Sequence, residues 1–229
     1  PALIAHGLGR PGDVLYTCLP LFHGNALQLT AFPGFGAEFP VILSKRFSAS
    51  RFWDILRKYE VTNFNLLGSM PQFLLKQPEK PNDRDNKVWR VNSAACPKEL
   101  IRRFEDRFGV KVYEGYGAVD GGGFMLGTFG HENIPVGTMG RPPQGVVAEI
   151  MDDDGNLLGC SETGELVFLV KEGELEQRRV VYYKDEAASK SRMQEASDGR
   201  IWFHTGDLAE KDEDGWFYFV DRKKDAIRR

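Results

Sequence analysis

Several patterns in this chain place residue types where they could do chemistry, and each is judged by the element around it. Gly7, Gly9 and Gly12 spell G-x-G-x-x-G, a loop that seats a pyrophosphate when a strand precedes it and a helix follows. Six residues precede Gly7, Pro11 interrupts the loop and a strand pattern follows, so an ordinary loop is expected. Glu210, Asp212, Asp214, Gly215 and Asp221 nearly fit a twelve-residue calcium loop. That loop needs flanking helices, whereas residues 216–220 are aromatic and β-branched, which predicts a hairpin turn. The basic run 222–229, taken alone, reads as a solvated charge run. Two other positions carry more. A carboxylate such as Asp207 can accept two hydroxyls in a bidentate arrangement, each charge-assisted bond contributing roughly 1.5–3 kcal/mol. Tyr116 precedes Gly117, so its ring can lie flat over a planar base while the glycine lets backbone approach the ligand. The plain alternatives are a carboxylate in a turn and a core tyrosine.

These two positions belong to a longer series. Leu19-Pro20-Leu21-Phe22-His23, Asn92-Ser93-Ala94-Ala95-Cys96-Pro97, Tyr116-Gly117-Ala118-Val119-Asp120 and His204-Thr205-Gly206-Asp207 follow in order, and Val220-Asp221-Arg222-Lys223-Lys224-Asp225 closes the set. In that order and spacing they resemble the signatures of the adenylate-forming (AMP-binding) superfamily: acyl-CoA synthetases, luciferases and peptide-synthetase adenylation domains. The resemblance covers essentially the whole chain, and the stretches 39–53 and 217–222 look most like the crotonobetaine/carnitine-CoA ligase branch.

The resemblance implies an acid-thiol ligase that joins a small carboxylic acid to ATP, giving acyl-AMP and pyrophosphate, and then transfers the acyl group to CoA. It gives Asp207 the ribose hydroxyls, Arg222 a second ribose contact, and Tyr116 the adenine. Gly115, Gly117, Ala118 and Val119 surround that ring, and Ala94, Ala95 and Cys96, with Ser93, form the other wall. It assigns Asp120 to Mg²⁺, His23 to a gate between acid and nucleotide, and Lys224 to the hinge of a C-terminal lid that these 229 residues do not contain. Met70 and the Gly121-Gly122-Gly123 run would line the acyl pocket or simply pack. Where similar enzymes have Thr-Glu, this chain has Val119 and Asp120. Valine lacks the hydroxyl that would donate to phosphate, and aspartate reaches about 1.5 Å less far. The phosphate loop and the downstream lysine of similar enzymes have no counterpart here. The chain is therefore expected to be a fragment, weak or inactive by itself. The alternatives are a non-catalytic adenylate-binding pseudoenzyme, or adenylation followed by transfer to a carrier-protein thiol or by oxidation.

Such a site needs elements to hold it. Short apolar runs at 14–19, 39–43, 61–67, 88–94 and 110–113 read as strands. Between them, Phe52, Ile55, Leu56 and Tyr59 recur at helical spacing behind Ser48 or Ser50 as a cap. Leu100, Ile101, Phe104 and Phe108 do the same between Pro97 and Gly109, and a polar loop fills 77–87. This alternation predicts an α/β unit, a doubly wound, mainly parallel sheet with helices on both faces, over 1–133. Beyond Pro135 the helical period fades, and strands at 146–151, 165–170, 201–203 and 216–220 predict a small β-barrel-like subdomain over 134–220. Residues 152–156 and 212–215 would be hairpin turns, and 221–229 the hinge.

Composition sets the outer limits. A formal charge of −3 with no sustained basic stripe argues against nucleic acid as the main partner. No apolar run approaches the roughly 20 residues of a membrane span. Three widely spaced cysteines with no metal-ligand spacing fit a reducing, cytoplasmic setting. A start at Pro1 and an end at Arg228-Arg229 suggest a chain cut at both ends. Oligomeric state is left open, a homo-oligomer included.

Overall fold

A computed structural model describes residues 9–118, 120 and 125–225. They divide into two compact units, 1–114 with 129–132, and 115–128 with 133–229.

In the first unit, β1 (Leu15–Thr17), β2 (Val41–Leu43), β3 (Asn63–Leu67), β4 (Arg90–Ala94) and the start of β5 (Val112–Gly117) form a parallel sheet in the order β2-β1-β3-β4-β5. The two-residue strand period sorts the side chains onto opposite faces. On one face Tyr16, Phe64, Leu66 and Val91 pack against α3 (Phe52–Lys58), α4 (Met70–Leu75) and α5 (Lys98–Phe108). Trp53 stacks on Phe108 with ring centroids 4.3 Å apart. On the other face the core is polar and fully connected. Arg90 Nε donates to Asn92 Oδ1 at 2.8 Å, Asn92 Nδ2 to Asn65 Oδ1 at 3.1 Å, and Asn65 Nδ2 to Thr30 Oγ1 at 2.7 Å. Helices on both faces are thus present, as the alternation predicts.

The helical run that supplies Thr30 is not foreseen from the sequence. It consists of α1 (Gly24–Ala26), a π-helical turn (Leu27–Ala31) and α2 (Phe32–Ala37). Phe32-Pro33-Gly34-Phe35-Gly36 looks like a breaker, yet Pro33 falls in the first turn of α2, where proline is tolerated. Gly34 faces β2 so closely that a Cβ there would lie 2.1 Å from Val41 Cγ2. The helix α4 is likewise unforeseen, and no serine side chain caps α3, whose N-cap is Arg51. Pro97 is the N-cap of α5 and Gly109, at φ 67°, ends it. The polar loop 77–87 is pinned by Arg107, which donates to Asp83 and to the carbonyls of Leu75, Gln77 and Pro78. The Gly9 and Gly12 part of the glycine pattern is a turn leading to β1, and Gly7 lies outside the described residues.

In the second unit the rest of β5 pairs antiparallel with β6 (Met125–Gly127). An antiparallel sheet follows, ordered β11-β10-β8-β7, with β7 (Ala148–Met151), β8 (Gly164–Leu169), β10 (Ile201–Lys211) and β11 (Phe217–Arg222). The strand β9 (Met193–Glu195) pairs with the start of β10. Among the described residues β11 and β7 do not pair, so the sheet is an open half-barrel around Ile150, Leu166, Phe168, Phe203, Ala209 and Phe217. Residues 212–215 do form the turn between β10 and β11, with Gly215 at φ 78°, and strands rather than helices flank it. The loss of helical period after Pro135 is not complete: α6 (Leu175–Arg178) and α7 (Glu186–Ser191) are short helices, and Asp185 caps the second by accepting from Ala188 N–H. Cys18 and Cys96 are buried free thiols and Cys160 is an exposed one. Among the described residues no helix is long and apolar enough to cross a membrane.

Candidate functional site

The residue around which the second unit's polar groups gather is Asp207. It lies inside β10, not in a loop, and its cross-strand partner on β11 is Arg222. Arg222 Nε stands 3.4 Å from Asp207 Oδ1, and Tyr116, from the end of β5, donates its hydroxyl to Oδ2 at 2.6 Å. Burial first, and the hydrogen bond to Asp207 second, push the Tyr116 phenol well above its usual value, so it stays a donor at any working pH. Asp207 N–H donates to Thr205 Oγ1, and that hydroxyl donates to Leu166 O. The result is a carboxylate with an aromatic ring and an exposed guanidinium beside it. It can take two ligand hydroxyls if the phenol yields one position.

The bend that aims Asp207 is held by Glu165 on β8. Pairing between β8 and β10 is interrupted between His204 and Leu208, and Gly206 there has φ 77°, a left-handed conformation that favours glycine. Glu165 Oε1 accepts the Gly206 N–H at 2.8 Å, while Oε2 accepts Lys223 Nζ at 2.8 Å and faces His204 Nδ1 at 3.2 Å. Lys223 N–H returns to Gly206 O at 2.9 Å. Burial alone would raise the Glu165 carboxyl, but the bonds from His204, Lys223 and Gly206 outweigh it and hold the group at about 2.

Asp120 is also engaged. Its Oδ2 accepts the Tyr182 hydroxyl and pairs with Arg192 at 3.1 Å. Its Oδ1 has no hydrogen bond among the described residues. Mg²⁺ needs few protein oxygens when nucleotide phosphates and water supply the rest. A single available carboxylate oxygen therefore fits an ion shared with a nucleotide. It does not fit one held by protein alone, and no cluster of three or more His, Cys, Asp or Glu occurs among the described residues. Val119 and Gly121 to Gly123 lie outside the described residues.

In the first unit the segment Ala94-Ala95-Cys96 turns sharply between β4 and α5, with Ala95 at φ 58°. Glu114, on β5 opposite Ser93, underpins it. Burial pushes the Glu114 carboxyl up, while Ser93 and the backbone of Cys96 and Ala95 hydrogen-bond to it and pull it back. Burial also pushes the Cys96 thiol up to about 12, which makes it a packing group and not a nucleophile. His23 is exposed and its Nδ1 accepts from Asn25 N–H at 3.2 Å, capping α1. Met70 is buried in the apolar core.

A family model described as AMP-binding enzyme matches residues 2–170. The chain belongs to the AMP-binding enzyme family. Over 229 aligned residues this AMP-binding chain is 34% identical to the steroid-22-oyl-CoA synthetase of Rhodococcus jostii (strain RHA1), covering 94% of this chain and 39% of that protein. It is 33% identical to the crotonobetaine/carnitine–CoA ligase of Salmonella typhi, covering 96% of this chain and 42% of that ligase. In fold it matches the O-succinylbenzoate coenzyme A synthetase of Bacillus subtilis in complex with AMP. The TM-score is 0.76 at 24% identity, over 99% of this chain and 44% of that one. The chain thus spans about two fifths of the length of the curated relatives it matches.

Sequence reasoning singled out Tyr116, Asp207, Arg222 and Asp120 in this AMP-binding chain, and all four fall in the second unit. The first three meet on one carboxylate; Asp120 meets Tyr182 and Arg192 instead. Ala94 to Cys96 and His23 lie in the first unit. Lys224 follows the end of β11 in a turn. The residues missed are Glu114, Glu165, Tyr182 and Arg192. The one available signal was Glu165, an acidic residue at the start of an apolar strand pattern, where it must either be paired or face water.

Proposed function

We propose that this chain is the nucleotide-holding part of an ATP-dependent carboxylate–CoA ligase, and that its parent activates a small carboxylic acid as acyl-AMP, with loss of pyrophosphate, before acyl transfer to CoA. The observation that carries the reading is the Tyr116–Asp207–Arg222 arrangement on one buried carboxylate. Asp207 accepts the two ribose hydroxyls, Arg222 steadies the ribose from the neighbouring strand, and the Tyr116 ring stacks on adenine. The resemblance also assigns Gly115, Gly117, Ala118 and Val119, together with Ala94, Ala95 and Cys96, to nucleotide binding. Support comes from relatives named as CoA ligases or synthetases, and from a fold neighbour solved with ATP and magnesium ion.

The substrate carboxylate is the nucleophile in this reaction, so the protein supplies position and charge and no covalent intermediate. Asp120 would offer one oxygen to Mg²⁺, which, when bound, neutralises phosphate charge. His23 borders the acid, and Lys224 serves as a hinge. The domain limits proposed are 1–133, 134–220 and 221–229. A cytoplasmic parent, able to form a homo-oligomer, completes the reading.

Isothermal titration of this chain with AMP tests the nucleotide reading. ATP–pyrophosphate exchange by the full-length parent, across short, branched, aromatic and betaine-type acids, tests the reaction. Exchange that depends on one acid names the substrate class. AMP binding without exchange favours a non-catalytic adenylate-binding protein. CoA against a carrier-protein thiol as acceptor then separates the two ligase types. For the ring, Tyr116→Ala is expected to weaken AMP binding by the roughly 1–3 kcal/mol that base–aromatic stacking contributes. Tyr116→Phe keeps the ring and releases Asp207 Oδ2, so its affinity should equal or exceed that of the wild type. Equal losses in both variants would show that the hydroxyl, and not the ring, carries the contact.

A further inference from the structure

Arg192 lies outside the five segments that carry the resemblance, yet it makes more directed contacts than any of the proposed nucleotide ligands. Its Nη1 donates to His204 O at 3.0 Å and to Thr205 O at 2.9 Å, the two carbonyls that open the His-Thr-Gly-Asp bend. Its Nε donates to the Tyr182 hydroxyl at 2.8 Å, and its Nη2 reaches Asp120 Oδ2 at 3.1 Å. The Tyr182 hydroxyl in turn donates to the same Asp120 oxygen. Residues 120, 182, 192, 204 and 205 belong to one compact unit. The planar guanidinium has five donors in a fixed fork, a geometry that lysine cannot reproduce.

We propose that Arg192 is a positioning residue: its guanidinium ties the Asp120 carboxylate to the backbone that leads into Asp207, with Oδ2 held by protein and Oδ1 left for a cation. This inference rests on the nucleotide reading above and extends it. One side chain sets the spacing between the carboxylate meant for Mg²⁺ and the one meant for ribose. The link needs no covalent step and no group beyond those in the chain. Backbone pairing at the same place survives any substitution, because His204 N–H donates to the Arg192 carbonyl at 2.8 Å. Loss of the guanidinium should therefore free Asp120 more than it disturbs Asp207.

The test compares wild type, Arg192→Gln and Arg192→Lys, with folding checked by thermal melts, for AMP binding in EDTA and for ATP binding with and without MgCl₂. The expected result is an AMP affinity within about threefold of wild type. The factor by which magnesium tightens ATP should shrink by roughly tenfold, the scale on which groups behind a metal ligand act. Asp120→Asn should lose the same factor, and Asp120→Asn with Arg192→Gln should lose no more. Arg192→Lys, which keeps the charge but not the fork, should behave as Arg192→Gln, and it carries the test if the glutamine variant fails to fold. An unchanged or larger magnesium factor in the variants, with wild-type ATP binding intact, overturns this inference alone. A wild-type chain that binds neither AMP nor ATP overturns the nucleotide reading and this inference with it.

Discussion

Asp207→Ala is expected to lower AMP affinity by roughly 10²- to 10⁴-fold. Two charge-assisted hydrogen bonds from ribose hydroxyls, at about 1.5–3 kcal/mol each, amount to about 3–6 kcal/mol, and each 1.4 kcal/mol is about a tenfold change in affinity. The fold should survive. The bend is held by Gly206 N–H on Glu165 and by Thr205 Oγ1 on Leu166 O, neither of which uses the Asp207 side chain. Arg222, with its exposed side chain, can hydrate when its partner goes. Asp207→Asn keeps one acceptor oxygen and loses the charge, so it should fall between the two. Calorimetric titration with AMP reads all three proteins, and melts confirm that they are folded. An Asp207→Ala protein that binds AMP as tightly as wild type would remove the nucleotide site from this carboxylate.

The second large effect concerns stability, and it comes from Glu165. The bonds from His204, Lys223 and Gly206 hold its carboxyl at about 2 in the folded chain, well below the usual 4.5. A carboxylate with a depressed folded value contributes stability that is complete above the unfolded value and drains as pH falls through the folded one. At neutral pH the shift corresponds to about 3 kcal/mol, and Glu165 is only 6% exposed, so little of this is lost to solvent screening. Glu165→Gln should therefore be less stable than wild type by about that amount at pH 7. The gap should begin to close below about pH 4.5 and shrink further toward pH 2, because the wild type loses its ionic advantage while the amide has none to lose. Urea unfolding of both proteins at pH 7, 5, 4 and 3 measures it. A gap that stays constant from pH 7 to pH 3 would assign the loss to packing and not to charge.

The sequence exposed the parts of this molecule whose signals are local. The alternation of short apolar runs with the 52–59 and 100–108 helical stripes gave the parallel sheet, and Gly109 and Gly215 marked real chain reversals. The run 24–37 was hidden because its proline and glycines read as breakers. What makes them acceptable is tertiary: the close approach of Gly34 to Val41, and Thr30 accepting from Asn65 on the polar face of the sheet. In the site, Tyr116, Asp207 and Arg222 were legible from short motifs. Their meeting depends on which residues β10 and β11 place opposite one another, which no spacing within a motif reveals. Glu165 showed only as a carboxylate heading an apolar strand pattern, and Arg192 did not show at all. Between them they act on residues 10 to 72 positions away, and nothing near either one in the sequence names those partners.

The pairing of Asp207 with Arg222 bears on how this chain can vary. Exposed turns usually accept insertions and deletions freely, and the 212–215 turn is exposed. It is also the ruler for the hairpin: one residue added or lost there, without a compensating change, would slide β11 along β10 by a step. Because a strand turns successive side chains to opposite faces, that step would point Arg222 away from Asp207. The composition of this turn should therefore tolerate change better than its length does. A natural variant with a longer turn should carry its matching change at the bulge between Leu208 and Ala209, where the ladder already absorbs an irregularity.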